Sequence, residues 1–410
     1  MIKKMIYLVC LLLGLPLFAE EDSALLPDVV YVDCAYWGEN GEMTGDYNTP
    51  YNTIQQGVDS VNTNGVVIVA PGTYEGALSI TNAPLTLLAS GSAIDTVITR
   101  QWGDNGTIVN IGSNAAGSSI IGFTIQGGFG EVGANLSCNG SVDIKDCVIK
   151  DNAYNYYEHD TGSVYVGGEN VIVNMENCLV IGTCFGWCSV IFVDGDGETG
   201  AVLRIDRSTI LASNYYEGTS NIICADGNSI IKCHNSILGG CLESDNTVLF
   251  ALGGAYDGNP PQFEVAYSCI EGEVGFDAYS DLNVIDGGGN IFCDPCFVDR
   301  YSSNFTIEEW SPCRDAANED LPLDPDGSRV DMGYSETRFG IGKIFNSDEF
   351  FYELSEEGAV ITLVSNKTEH VAFPMMIDGK VVVGIGQEYG ESVFADPTSV
   401  VTVDIPSTVK

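Results

Sequence analysis

The stretch that decides the fold is V-D-I-K-D-C-V-I, from Val142 to Ile149. Its first four residues alternate apolar and polar, as in a half-buried strand, and a short break follows before a second apolar run begins. The pattern returns as V-N-M-E-N-C-L-V from Val173, L-R-I-D-R-S-T-I from Leu203, I-K-C-H-N-S-I-L from Ile231 and F-E-V-A-Y-S-C-I from Phe263. The equivalent residues Cys147, Cys178, Ser208, Ser236 and Ser268 are 31, 30, 28 and 32 residues apart. A second series lies between them: S-V-Y-V from Ser163, S-V-I-F-V-D-G-D from Ser189, N-I-I-C-A-D-G-N from Asn221 and T-V-L-F-A-L-G-G from Thr247, at spacings of 26, 32 and 26. Two interleaved strand series with a common period exclude a sandwich of hairpins, in which neighbouring strands differ and turns are tight. They predict an all-β solenoid, a parallel β-helix whose successive coils stack like strand on like strand, with about nine coils from residue 66 to 300.

Outward from this core, Pro50 follows Thr49 as the expected N-cap, and Ile54, Val58 and Val61 recur at helical spacing. This predicts a short amphipathic helix over 50–61 that covers the open edge of the first coil. At the N-terminus, Lys3 and Lys4 precede an apolar run from Met5 to Phe18, with Ala19 before a cleavage point. This reads as a signal peptide over 1–19, too short to span a bilayer, and predicts a secreted or cell-surface protein associated with an outer membrane. Export would place the cysteines where disulfides persist, and Cys293 and Cys296 in C-D-P-C suggest a disulfide more than a zinc site.

Of 410 residues, 45% are hydrophobic and 18% charged, a globular composition. With 57 Asp+Glu against 16 Lys+Arg the net charge is −41, which excludes nucleic acid as a partner and disfavours anionic membranes. Neutral ligands, cations and neutral surfaces remain.

Both ends of the solenoid carry a resemblance. Y-V-D from Tyr31, P-Y-N-T-I-Q-Q-G-V-D from Pro50 and V-A-P-G-T-Y-E-G from Val69 open the region. G-N-I-F-C-D-P-C-F-V-D from Gly289, N-F-T-I from Asn304, S-P-C-R-D-A-A from Ser311 and D-P-D-G-S-R-V-D-M-G-Y from Asp324 close it. Over residues 29–336 the chain resembles secreted right-handed parallel β-helix repeat proteins of the pectin-lyase-like superfamily. The resemblance implies a surface or secreted protein, and some members are grouped with polysaccharide-active enzymes by fold alone. Beyond it, F-F-Y-E-L-S-E-E-G-A-V-I-T-L from Phe350, I-D-G-K-V-V-V-G-I-G from Ile377 and V-F-A-D-P-T-S-V-V-T-V-D-I-P-S-T-V from Val393 resemble the entry and first repeat of BspA-like leucine-rich repeats. The resulting organisation is a signal peptide (1–19), a β-helix with terminal caps (20–336), a linker (337–349) and a partial leucine-rich-repeat module (350–410). One repeat is too few for a solenoid, so the chain reads as part of a longer protein, with a small β cap of its own as the other reading of this segment.

Two constellations carry chemistry. Aligning Ser163, Ser189, Asn221 and Thr247 puts Gly168, Asp194, Asp226 and Leu252 at one offset, so Asp194 and Asp226 are expected to stack on adjacent coils. Such a pair suits the two carboxylates of a glycosidase, or, with Asp196 and Glu198, the oxygen ligands of Ca²⁺. Asp, Asn and Gly are equally what tight corners require. No cofactor is required for the carboxylate pair, and Ca²⁺ is the ion that these oxygens would take. The second constellation is aromatic: Tyr154, Tyr156, Tyr157, Phe185, Trp187, Tyr215 and Tyr216 precede the second strand series on three consecutive coils, as a glycan-gripping surface would. Lyase chemistry on this fold draws on Lys or Arg, but Lys145, Lys150, Arg204, Arg207 and Lys232 lie in no matching motif. The residues therefore point to an adhesin-like module for a glycan or other cell-surface ligand. A polysaccharide hydrolase or lyase using Asp194 and Asp226 is the alternative, and a structural stalk the third.

Overall fold

The computed structural model describes residues 27–38, 42–100, 106–129, 133–151, 162–184, 189–195, 199–214, 220–241, 247–252, 260–272, 276, 282–321, 323–324 and 328–335, and six strands between 350 and 404. Three parallel sheets wrap one core. Sheet I has ten strands: Val29–Val32, Val66–Val69, Thr86–Ala89, Ser118–Ile121, Val142–Lys145, Ile172–Glu176, Val202–Asp206, Ile230–His234, Gln262–Ala266 and Asn283–Asp286. Sheet II has eight: Gly72–Glu75, Thr96–Thr99, Thr124–Gln126, Val148–Lys150, Leu179–Cys184, Thr209–Asn214, Ile237–Gly240 and Cys269–Ile270. Sheet III has seven: Leu78–Ile80, Val109–Ile111, Leu136–Cys138, Val164–Gly167, Ser189–Asp194, Ser220–Ala225 and Thr247–Leu252. The chain runs I, II, III and returns to I, the winding of a right-handed parallel β-helix. Nine strands of sheet I lie from Val66 onward, as the repeat arithmetic expects, and seven of those coils contribute to all three sheets.

Alternation explains the interior. Val142, Val173, Leu203, Ile231 and Phe263 face inward on sheet I with essentially no exposure, and Ile149, Val180, Ile210 and Leu238 do so on sheet II. Between sheets I and II the chain turns through one residue in the left-handed region on each coil: Asp146, Asn177, Arg207, Asn235 and Tyr267, with φ between 47° and 52° in all five. The residue that follows is the one whose recurrence reveals the repeat, and its role is now visible. Cys178 N–H donates to Ser208 Oγ (3.0 Å), Ser208 N–H to Ser236 Oγ (3.1 Å), Ser236 N–H to Ser268 Oγ (3.1 Å), and Ser268 N–H to Asn290 Oδ1 (3.0 Å). Each serine hydroxyl in turn donates to the carbonyl two residues earlier, in Asp206, His234 and Ala266. A buried hydroxyl ladder thus runs along the axis and satisfies amides that the corner removes from the sheets.

The helix forms later than its spacing suggests. It spans Ile54–Ser60, capped by Thr53 in a capping box with Gln56. Thr49 and Tyr51 are instead drawn into bridges with Asp46 and Val32, which keeps Pro50 extended and outside the helix. Ile54 packs into the end of the core, as expected of a cap.

Sheet II differs from the others in having an apolar outer face. Val148, Leu179, Leu211, Ile237 and Cys269 point away from the core and are covered by Phe297, Phe305, Cys313, Ala317, Val330 and Met332. The closing motifs of the sequence therefore form a cover laid along one side. It is pinned at Asn318 N–H to Asn235 Oδ1 (2.8 Å), Tyr334 N–H to Thr209 Oγ1 (2.9 Å), and by reciprocal bonds between Asn177 and the backbone of Ser335. Arg300 locks the same cover: buried over the Phe297 ring, it donates to Gly240 O (2.9 Å), to both oxygens of Glu271, and to Asp294 (3.0 Å).

Residues 350–404 form separate small sheets. Phe350–Leu354 and Ala359–Val364 make an antiparallel pair, Ala359–Val364 pairs in parallel with Lys380–Ile385, and His370–Ala372 in parallel with Thr402–Asp404.

Candidate functional site

The two carboxylates picked from the sequence lie at the end of sheet III. Ser189–Asp194 and Ser220–Ala225 pair with Ser189 opposite Asn221 and Val193 opposite Ala225, and Asp226 continues the ladder through its N–H to Val193 O (3.1 Å). The expected register of these two coils is therefore present. The flanking coils are shifted by one residue: Gly167, not Gly168, lies opposite Asp194, and Leu252 lies opposite Ala225. The period of two decides this, because Val164 and Val166 must stack on the inward Ile191 and Val193.

On the outer face, Tyr165 and Phe192 stack with ring centroids 6.2 Å apart, and Tyr165 Oη donates to Asp194 Oδ2 (2.7 Å). Asp226 Oδ1 accepts from the Gly195 amide (3.0 Å), while its carbonyl accepts from Ser229 Oγ (2.7 Å). Gly195 is required here, since a Cβ would fall 2.4 Å from Asp226 O. Asp226 thus shapes the corner in the way Asp residues do in turns, and Asp194 is tied to a neighbouring coil by a phenol. Asp196 and Glu198 lie outside the described residues, as do Tyr154, Tyr156, Tyr157, Phe185, Trp187, Tyr215 and Tyr216. Among the described residues no group of three or more His, Cys, Asp or Glu is arranged to hold a metal ion. Tyr165 is the residue that sequence reasoning missed. Its signal was its outward position, one rung from Phe192.

Of the basic residues weighed for lyase chemistry, Lys150 ends a strand of sheet II beside Asp151 (3.8 Å), and the other four sit on the outer face of sheet I and its corner. Lys145 pairs with Glu176 (3.3 Å), Arg207 with Glu176 and Asp206 (3.0 Å to the latter), Lys232 with Glu264 (2.7 Å), and Arg204 donates to Asn174 (3.2 Å). The hydrogen bond from Lys232 holds the Glu264 carboxyl below its usual range. These cations are engaged by acidic or amide neighbours on the same or the adjacent coil.

A groove of about 360 Å³ opens beside the capping helix, lined by Asn52, Gln55, Glu75 and Tyr74 among others, with Trp37 on its lip at 77% exposure. The sequence reading did not single it out, because Trp37 belongs to no repeat.

No family model matches this chain, and no curated protein does. Solved structures with a similar course include pectin methylesterase from carrot (17% identity, 67% of this chain and 84% of that one, TM-score 0.42). Pectin methylesterase from Aspergillus niger is similar at 15% identity (65% and 83%, TM-score 0.42), and pectate lyase Pel9A at 12% (74% and 95%, TM-score 0.34). The likeness is one of fold: an all-β parallel solenoid.

Proposed function

We propose that the β-helix is a saccharide-binding module of the adhesin kind, gripping a neutral glycan along the edge where sheet II gives way to sheet III. One observation supports this reading. Leu179–Cys184 and Thr209–Asn214 remain in register to their last residues, and Ser189 lies opposite Asn221 where the next strands begin. The connections bearing Phe185 and Trp187 on one coil, and Tyr215 and Tyr216 on the next, therefore leave and re-enter the stack at matched points, one strand spacing of about 4.8 Å apart. Aromatic residues that recur in the connections of successive coils, with Asn and Glu beside them in the sequence, suit sugar rings, which offer an apolar face and a rim of hydroxyls. The net charge of −41 favours a neutral glycan over a polyanionic one such as pectate.

Retention of the full chain on a glycan array tests the reading. Trp187→Ala and Tyr215→Ala are each expected to weaken retention by about 1 to 3 kcal/mol, the usual contribution of a buried aromatic contact. No retention of the parent chain on any neutral glycan would end it.

The polysaccharide-degrading alternative draws on the Asp194 to Tyr165 bond, which places one carboxylate on an outer face beside stacked rings. It predicts reducing-sugar release that Asp194→Asn abolishes while binding survives. Asp226, folded into its own corner, is a poor partner for that chemistry. For residues 350–404, the parallel pairing across successive segments supports the leucine-rich-repeat reading.

A further inference from the structure

Four cysteines from three distant parts of the chain converge where the cover meets the last coil. Cys269 opens the final strand of sheet II, Cys293 and Cys296 belong to the C-D-P-C turn that begins the cover, and Cys313 lies in its S-P-C-R turn. Cys269 and Cys313 have no exposure, and Cys293 and Cys296 are half-buried. Cys269 Sγ lies 3.9 Å from Cys293 Sγ, and the Cys313 thiol also hydrogen-bonds Cys269. The backbone holds these positions. Cys269 N–H donates to Ser236 O (2.8 Å), Met332 N–H to Cys313 O (2.8 Å), and Cys296 N–H to Asp294 Oδ1 (2.8 Å). The turn aims Cys296 elsewhere, its Sγ resting 3.5 Å from Asp294 O. The neighbour pairing of Cys293 with Cys296 expected from the sequence is therefore not the close one.

We propose that Cys269 and Cys293 form a dithiol built to close into a disulfide, joining the cover covalently to the last coil. Two sulfurs just outside van der Waals contact on fixed backbones need little more than side-chain rotation to reach bonding distance. Cys293 is the entry point because it alone of the two is partly exposed. Its thiolate attacks one sulfur of a small-molecule disulfide, expelling the other half as a thiolate and leaving a mixed disulfide. The Cys269 thiolate then attacks the Cys293 sulfur and expels the second half. Two electrons pass to the oxidant, and the two protein protons end on the two thiols released. The hydrogen bond with Cys313, and then burial, push the Cys269 thiol above its ordinary range, and burial does the same for Cys293, so closure is slow at neutral pH and the bond, once made, is shielded from exchange.

The test is incubation of the full chain with oxidised glutathione, blocking with N-ethylmaleimide, digestion without reductant, and mass spectrometry of the peptides. A Cys269–Cys293 cross-link that dithiothreitol removes is expected, together with a rise in Tm of roughly 5 °C that reverses with it. Cys293→Ser is expected to abolish both, and Cys296→Ser to leave both intact. Where Cys293→Ser fails to fold, the linkage found in the unmodified chain decides alone. A link between Cys293 and Cys296, alkylation of both Cys269 and Cys293 after oxidation, or one equivalent of bound zinc protecting all four thiols would each overturn the proposal.

Discussion

Asp146 shows what a single corner residue costs and returns. It adopts a left-handed φ of 52°, which Asp tolerates better than most side chains, and its Oδ1 accepts from Asn177 Nδ2 at 2.7 Å. Burial pushes its carboxyl up to about 6, and the hydrogen bond from Asn177 and the charges of Arg207 and Lys145 only partly oppose this. The folded pKa thus lies above the unfolded one near 3.8, so the stability it contributes is fully present below about pH 4 and is lost as pH rises through about 6. The full swing is on the order of 2 to 3 kcal/mol. Asp146→Asn keeps an acceptor and tolerates the same φ but cannot ionise. Urea midpoints are expected to fall less between pH 4 and pH 7 in this variant than in the parent, and equal slopes in the two would refute the assignment.

Among the elements, the hydroxyl ladder gives a sharp expectation. Ser208→Ala leaves the Cys178 amide without its acceptor inside the core, at a cost of about 1 to 3 kcal/mol in denaturant unfolding. Ser236→Cys is expected to be milder, because Cys147 and Cys178 already fill the equivalent place on earlier coils. Equal losses in the two would mean that volume, not the acceptor, matters at this position. The ladder also explains what was legible. A residue that must be small, must be buried and must recur once per coil leaves a mark in a single sequence, and so does the alternation of Val142 and Ile144 or Val173 and Met175. The one-residue shift at Gly167 was not legible, because several alignments fit so short a run as Val164–Gly167. Trp37 was hidden for a related reason: it lies outside the repeat, and a repeat search sees only what recurs.

For the whole molecule, the cover and the coils are one folding unit joined through Arg300. Removing the guanidinium strands the Glu271 carboxylate, which burial already pushes upward in pKa, without its partner. Arg300→Ala is expected to destabilise the chain by about 3 to 5 kcal/mol and to open the cover to proteolysis near 314–330 before the coils unfold. Coils and cover lost together at unchanged midpoint would contradict this. That the closing motifs formed a cover along sheet II, and not a plug on the last coil, could not be read from them, since the apolar outward positions Val148, Leu179 and Leu211 look like ordinary core in a linear sequence. The anchorage of Ser335 has a mechanical meaning. Tension arriving from residues beyond 335 is delivered to Asn177, on the corner after Ile172–Glu176, four sheet I strands inward from Asn283–Asp286. The load bypasses the terminal coil, where bonds would break one after another as a zipper, and instead shears the long seam between cover and sheet, where many bonds resist at once.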